Sequence, residues 1–163
     1  MYCPEINGIF NFFRIVEGPK SFLNASEDET IEFGTPKVGI KNYPANFAWQ
    51  WFLIVPEGRR VQITFDTFEL ERSKNCTKDY VEVREAFFED PNNPSSEIRG
   101  DFGAILAKSM CGSTKPNPIQ STGNMVWVQF VSDSNTTTTY KGFKASFTAG
   151  IYTTNISRYF TVG

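Results

Sequence analysis

Short runs in which apolar and polar residues alternate dominate this chain. Strict alternation is found at residues 61–65, 80–84 and 143–147. A period of two predicts strands with one buried face. Residues 51–55 and 125–131 are almost continuously apolar, which predicts central strands that are covered on both faces.

Turn signals separate these predicted strands, with Gly, Pro, Ser or Asn residues at 56–58, 121–124 and 141–142. No segment sustains a 3.6-residue period, and only residues 104–110 are suited to a short helix. Residues 9–31 are suited to one or two further strands. Many short strands with regular turns predict an all-β sandwich of two sheets.

The composition supports one packed domain and excludes several classes of protein. The chain has 163 residues, of which 40% are hydrophobic and 21% are charged, and a chain of this length buries about two-thirds of its unfolded surface. The net charge of −2 gives no electrostatic signature of a nucleic-acid partner. No run approaches the roughly 20 apolar residues that a membrane-spanning helix needs, so we expect no membrane insertion.

Histidine is absent from the sequence, which removes most catalytic chemistry. Ser-His-Asp and Cys-His nucleophiles and the usual zinc hydrolases all need imidazole. The remaining options for an enzyme are a pair of carboxylates, as in glycosidases, or a Ser-Lys arrangement. We therefore predict that the chain is not an enzyme.

Four N-glycosylation sequons favour an extracellular location. They begin at Asn24, Asn75, Asn135 and Asn155. The cysteines lack CxxC spacing and have no histidine to complete a zinc site; they are Cys3, Cys76 and Cys111. We expect a glycoprotein that is secreted or is the extracellular part of a membrane protein, where disulfide bonds form.

Eight short phrases stand in a fixed order along the second part of the chain. They are NYP at 42–44, WFLIVPEG at 51–58, FELE at 68–71, DYVEVR at 79–84, MCG at 110–112, STGN at 121–124, FVSD at 130–133 and GFKA at 142–145. In this order they resemble the CUB domain, an extracellular module of complement proteases, tolloid-type proteases, neuropilins and spermadhesins. The resemblance covers residues 35–149.

The resemblance implies an antiparallel jelly-roll β-sandwich of two sheets, which we assign to residues 33–150. Residues 1–32 are then an N-terminal extension that packs on the sandwich. Residues 151–163 are a C-terminal tail or an extra strand.

The resemblance also implies a disulfide bond between Cys76 and Cys111. The chain-entropy model credits a bridged loop of this size with roughly 4 kcal/mol of stability. Cys3 is left outside this pair, and it pairs with another chain, with a further segment or with nothing. A homodimer through Cys3 is one of these options.

A calcium-binding subset of the family carries three acidic residues at strand ends. The matching positions here are Glu71, Asp79 and Asp133. Calcium takes six to eight oxygen ligands, and carboxylates from separate loops offset its charge. The resemblance therefore implies a Ca²⁺ cofactor held by these residues. A tyrosine that accompanies the family's site falls on Thr35 here, which would remove one hydrogen bond.

The competing interpretation is that the three acids lie at exposed loop ends, as most acids do.

Nearby, Glu82 alternates with Val81 and Val83, so we expect its side chain to face solvent. Glu71 and Asp79 also have the residue types of an acid–base pair. A cluster that holds calcium is kept ionised, however, which is the opposite of what a general acid needs.

By resemblance, the chain is a non-catalytic extracellular module that binds proteins in a calcium-dependent manner. A Lys or Arg of the partner would bond to outer carboxylate oxygens at the calcium edge. The sequons at Asn75 and Asn135 flank this edge, so glycans there would crowd it. Two alternatives stay open: a glycan-binding, spermadhesin-like sandwich, and an accessory domain of a larger secreted protease or receptor.

The segment from residue 87 to residue 106 is longer than in the family and offers a second candidate surface. Phe87 and Phe88 are adjacent, so in an extended segment one ring faces the core and the other faces outward. The outward ring, Arg99 and Phe102 would form an aromatic-plus-arginine anchor for a partner. The alternative is a lid that covers an open end of the sandwich and buries its phenylalanines there.

Overall fold

Two β-sheets that face each other make up most of the structure. The computed structural model describes residues 18–39, 42–135 and 139–151. The strands in these ranges are β1 (Lys20–Asn24), β2 (Ile31–Gly34), β3 (Ala48–Ile54), β4 (Arg60–Glu69), β5 (Tyr80–Glu85), β6 (Phe87–Phe88), β7 (Ile98–Arg99), β8 (Ile105–Met110), β9 (Ile119–Gln120), β10 (Met125–Val131) and β11 (Gly142–Gly150). The predicted all-β sandwich is confirmed. Within the described ranges, no helix has the length and hydropathy to cross a membrane.

The strand order shows how the chain moves between the sheets. One sheet has the order β1-β3-β10-β5-β8, the other has the order β2-β11-β4-β9, and β6 and β7 form a separate hairpin. The pairs are antiparallel except that of β1 with β3, which is parallel and differs from the expected antiparallel pattern. The chain crosses to the other sheet for β2 and returns for β3, and these two crossings restore the direction of β1.

Aromatic rings fill the space between the sheets, and Phe143 on β11 lies among them. Its ring centroid is 5.7 Å from that of Trp51, 6.0 Å from those of Phe65 and Phe130, and 6.1 Å from that of Phe33. Tilted and edge-to-face ring pairs add about 0.5–1.5 kcal/mol each beyond their burial. Because both sheets contribute rings, this cluster joins the two halves of the sandwich.

The strand β10 lies in the middle of the five-stranded sheet and is buried along its whole length. Trp127 faces away from the core, and its indole N–H donates to the side-chain oxygen of Gln50 at 2.9 Å. On the same outer face, Phe22 stacks on Phe52 with ring centroids 4.9 Å apart. The prediction that residues 125–131 are covered on both faces is confirmed.

The segment at residues 104–110 is not helical, because it forms β8 at the edge of the five-stranded sheet. Its Ala107 and Met110 pair with Val83 and Val81 of β5. Strand formation at an edge depends on the neighbouring strand that supplies hydrogen-bond partners, and the composition of the segment alone does not reveal that neighbour.

Glu82 does not face solvent, contrary to the expectation from its alternation with valines. It is 5% exposed and forms an ion pair with Arg84, which lies two residues further on the same face of β5. The segment after β7 covers this face. The backbone at Gly100 packs directly on Trp127, because a Cβ atom added there would lie only 2.1 Å from that side chain. Arg84 also donates to the carbonyl of Gly103 at 3.4 Å. Alternation identifies the face of a residue but not what covers that face.

Replacing Glu82 with alanine is expected to lower the free energy of unfolding by about 3–5 kcal/mol, because the buried guanidinium of Arg84 loses its carboxylate. The matched control is Glu32→Ala, which removes the exposed partner of Lys144 and should cost no more than about 1 kcal/mol. Urea unfolding of the two variants measures the difference. Equal losses would contradict the buried character of the Glu82–Arg84 pair.

Candidate metal centre

Three acidic side chains meet at one end of the sandwich. Glu71 lies two residues after β4, Asp79 directly precedes β5, and Asp133 lies two residues after β10. Tyr80 is paired with Val131, so the start of β5 lies beside the end of β10. One carboxylate oxygen of each acid lies within 4.8 Å of those of the other two. The structure thus brings together the three residues proposed as metal ligands.

Buried hydrogen bonds fix the positions of these acids. Asp79 is 2% exposed, and its carboxylate accepts the amide N–H of Asp133 at 2.8 Å and the hydroxyl of Tyr43 at 2.5 Å. The oxygen of the same hydroxyl accepts the amide N–H of Glu71 at 3.0 Å. Tyr43 therefore connects the loop after β4 with the start of β5.

The electrostatics of the cluster favour a nearby cation. Burial raises the pKa of Asp79, the bonds from Tyr43 and the Asp133 amide oppose this, and the charges of Asp133 and Glu71 raise the pKa further. Burial and the bond to Asp79 raise the pKa of Tyr43, so its hydroxyl remains a donor. Neighbouring carboxylates in a buried site disfavour one another's ionised form unless a positive charge lies close.

Two further side chains contact Glu71. The ammonium group of Lys78 bonds to Oε1, and the side-chain nitrogen of Asn135 donates to Oε2 at 3.1 Å. The bond to Glu71 raises the pKa of Lys78, and the charges of Asp133 and Asp79 act in the same direction. The backbone N–H of Asn135 also donates to Asp133 at 2.8 Å. The cluster therefore contains one basic and one amide side chain beside its three acids.

The loop between β4 and β5 is held by a disulfide bond between Cys76 and Cys111, the pair that the resemblance implied. A short 3-10 turn at Lys74–Cys76 carries Asn75 at φ 56°, a left-handed conformation that Asn tolerates better than most residues. Because Cys111 directly follows β8, the disulfide attaches this loop to the edge strand. Cys3 lies outside the described residues, so its pairing stays a prediction.

The residues present fit a calcium ion. The carboxylates offer only oxygen atoms, and together they supply the negative charge that a hard divalent cation needs. Asn135 has a side-chain oxygen that can replace its nitrogen at the cluster, and backbone carbonyls and water can complete six to eight ligands. Tyr43 donates to Asp79, so it would hold this candidate ligand in place.

The tyrosine of the site is Tyr43, and the expectation that Thr35 takes its place is wrong. Thr35 is buried in the core, where its hydroxyl bonds to the backbone of Phe143. The phrase NYP at residues 42–44 carries the signal for the tyrosine, although it does not show which acid the hydroxyl reaches. Asn135 stands in the sequence as a sequon, which gives no sign of its contact with Glu71.

The segment from residue 87 to residue 106 contains a hairpin rather than an unstructured loop. The pairing of β6 with β7 places Phe87 opposite Arg99, whose guanidinium lies 5.9 Å from the ring centroid of Phe102. Phe102 is 76% exposed and Phe87 is 39% exposed, whereas Phe88 is half-buried. Neither of the adjacent rings belongs to the buried core, contrary to the expectation for one of them.

The hairpin lies over the outer face of the five-stranded sheet and does not form a lid over an open end. A cleft of about 500 Å³ separates the two. The ion pairs Lys20–Glu97, at 2.8 Å, and Arg99–Asp101, at 2.7 Å, flank this cleft. Arg99 also holds the pKa of Asp101 below its ordinary value through a hydrogen bond. The three clustered acids do not line the cleft.

The sequons differ in exposure. Asn24 on β1 and Asn75 in the β4–β5 loop are exposed, whereas Asn135 is half-buried. Asn155 lies outside the described residues. A glycan on Asn135 would be attached to the nitrogen atom that contacts Glu71, so this sequon, unlike the two exposed ones, is part of the acidic cluster.

The sequence profile of the CUB domain family matches residues 25–147. Tolloid-like protein 1 from Homo sapiens is 38% identical over 110 residues, which cover 65% of this chain and 9% of that protein. The chain therefore spans about a tenth of the length of this curated relative.

Solved structures have the same fold. The full extracellular region of zebrafish Gpr126/Adgrg6 matches with a TM-score of 0.59 and 26% identity, over 83% of this chain and 15% of that one. The MASP-1 CUB2 domain bound to Ca²⁺ matches with a TM-score of 0.56, over 79% of this chain and 97% of that one. At 21% identity, this second likeness shows the fold alone. Because the family profile covers well over half of the sequence, the chain belongs to the CUB domain family.

Proposed function

We propose that this chain is a non-catalytic, extracellular protein-binding module in which calcium organises the docking edge. The observation that carries the proposal is the cluster of Glu71, Asp79 and Asp133. Membership of the CUB family supports the role as a binding module, and the oxygen-only donor set of the three clustered acids supports the choice of ion. The sequons and the likeness to an extracellular region support a secreted protein or the extracellular part of a membrane protein.

The residues of the cluster link calcium to partner binding. Bound calcium would supply the positive charge that three neighbouring carboxylates need. Tyr43 and the amide of Asp133 hold Asp79, so the loops around the ion keep one arrangement. A Lys or Arg of the partner then donates charge-assisted hydrogen bonds to a carboxylate oxygen that the ion leaves free. Disorder in these loops would remove both binding events together.

Glycosylation bears on which surface a partner can reach. Asn75 is exposed, and a glycan there extends into solvent from the turn that precedes Asp79. Asn135 donates from its side-chain nitrogen to Glu71, so a glycan on that nitrogen would lie at the calcium edge. Docking at this edge therefore requires that Asn135 is unmodified.

Catalysis by the acidic cluster is disfavoured, because a substrate has little access to its buried carboxylates. Glu71 is 5% exposed and Asp79 is 2% exposed, and neither lines the cleft on the outer face of the sheet. A glycosidase needs its two carboxylates on either side of a substrate bond. Here the Asp79 carboxylate is bonded instead to the hydroxyl of Tyr43 and the amide of Asp133, and the Glu71 carboxylate is bonded to the side chains of Lys78 and Asn135.

Glycan binding in the outer-face cleft is also disfavoured. Sugars stack on exposed aromatic faces, but Phe52 and Trp127 in this cleft are only 2% and 3% exposed. The role of accessory domain in a larger secreted protease or receptor is compatible with the proposal, because the chain spans a small part of its relative's length.

The hairpin offers a second contact surface, which we name the aromatic hairpin surface and define as Phe87, Phe88, Arg99 and Phe102. Arg99 forms ion pairs with both Asp101 and Glu89, so two carboxylates share one guanidinium group and the rim of the surface keeps a net negative charge. Exposed rings with an acidic rim fit a partner segment that carries apolar and basic side chains.

Calcium is expected to raise the melting temperature by about 3–10 °C at roughly 10–100 times its dissociation constant. Asp79→Asn should abolish this rise, because it removes the charge of the most buried acid in the cluster. The matched control is Asp66→Asn, at an exposed position of β4, which should leave the rise intact. Differential scanning calorimetry in millimolar calcium and in chelator measures the effect. Equal melting temperatures of the parent chain in both buffers would contradict the role of calcium.

We expect the capture of partner proteins by this chain to require calcium and to depend on Asp79, as the rise in melting temperature does. The chain, secreted from animal cells, is immobilised and incubated with extracellular fluid in millimolar calcium and in chelator. Asp79→Asn should lose the proteins that chelator releases from the parent chain. Phe102→Ser should change the free energy of unfolding by no more than about 0.5 kcal/mol, because the ring is exposed. This variant should bind less only of those proteins that stay on the parent chain in chelator. Retention of the chelator-sensitive proteins by Asp79→Asn would show that they dock elsewhere.

A further inference from the structure

Lys78 places a cation of the chain itself at the acidic cluster. Its ammonium group bonds to Oε1 of Glu71, whose side chain is 7% exposed, while the Lys78 side chain is 46% exposed. We propose that Lys78 competes with calcium for Glu71 and thereby lowers the affinity of the site for the ion. This inference rests on the proposed function, because it concerns the same three carboxylates.

The local backbone holds Lys78 in position for this contact. Its N–H donates to the hydroxyl of Ser73 at 3.2 Å, and the hydroxyl of Thr77 donates to the carbonyl of Lys74 at 3.2 Å. These bonds close the turn that the disulfide attaches to β8. Lys78 also immediately precedes Asp79, so its side chain starts beside the most buried acid of the cluster.

The two oxygens of Glu71 are held by groups of different chemistry. Asn135 donates to Oε2 through an amide, and an amide that turns around presents an oxygen to a metal ion. An ammonium group has three donors and no acceptor, so Lys78 cannot become a ligand. Calcium therefore has to displace Lys78 from Oε1 or bind next to a positive charge, and either outcome weakens binding.

The consequence is a site whose affinity is set by an internal contact. Extracellular calcium modules have dissociation constants of roughly 10⁻⁴–10⁻³ M, the weak end of the range for protein sites. A competing ammonium group moves the affinity of a three-carboxylate site in this direction. The site then responds to changes in millimolar calcium and does not stay saturated at every concentration.

The test compares Lys78→Gln with Lys74→Gln, which removes the same charge from an exposed residue in the same loop. Terbium luminescence reports on the site, because Tyr43 is bonded to Asp79 and can sensitise a bound lanthanide ion. Calcium affinity is then obtained by displacement of terbium. We expect Lys78→Gln to raise calcium affinity roughly 3- to 5-fold, which corresponds to the upper part of the range for an exposed ion pair, and Lys74→Gln to change it less than about 2-fold.

The outcomes separate this inference from the proposed function. If the parent chain binds neither terbium nor calcium, the proposed calcium role is wrong. If the parent binds calcium and the two variants have equal affinities, the role of calcium stands and the inference about Lys78 is overturned. Lower affinity in Lys78→Gln also overturns it. Lys78→Arg keeps the charge and should remain close to the parent, which checks that the effect is electrostatic and not a loss of loop structure.

Discussion

The buried carboxylate of Asp79 is the group on which the arrangement of the acidic end of this domain depends. It accepts hydrogen bonds from the hydroxyl of Tyr43 and from the amide of Asp133, and it lies beside two other acids. A buried charge is costly unless hydrogen bonds and opposite charge compensate it. Because its donors come from separate segments, the conformations of those segments are coupled through this single side chain.

The sheets supply the rigid frame that makes this coupling possible. Tyr80 is paired with Val131, and the aromatic cluster around Phe143 joins the five-stranded sheet to the sheet that contains β4. The disulfide between Cys76 and Cys111 fixes the intervening loop to β8. Loops carried by a rigid scaffold can be shaped for binding without loss of stability elsewhere. The position of the acids is therefore a property of the whole sandwich and not of the loops alone.

Much of this architecture could be predicted from the sequence, because period-two alternation and turn residues report directly on strands. The failures have a common cause. The burial of Glu82 and the strand conformation of residues 104–110 are both set by neighbours in space. The segment after β7 covers Glu82, and β5 pairs with residues in 104–110. At the site, resemblance located the three acids, but Tyr43 and Asn135 act through contacts between distant segments. Sequence spacing contains no measure of such contacts.

A cluster of acids placed by the sheet register has a consequence for folding as well as for binding. The register, the Tyr43 hydroxyl and the disulfide bring Glu71, Asp79 and Asp133 together, and like charges so close oppose the native state. Lys78 offsets part of this repulsion through Glu71. An exposed lysine that holds one oxygen can be displaced, so in the proposed calcium site the same contact would balance the stability of the domain against its affinity for the ion.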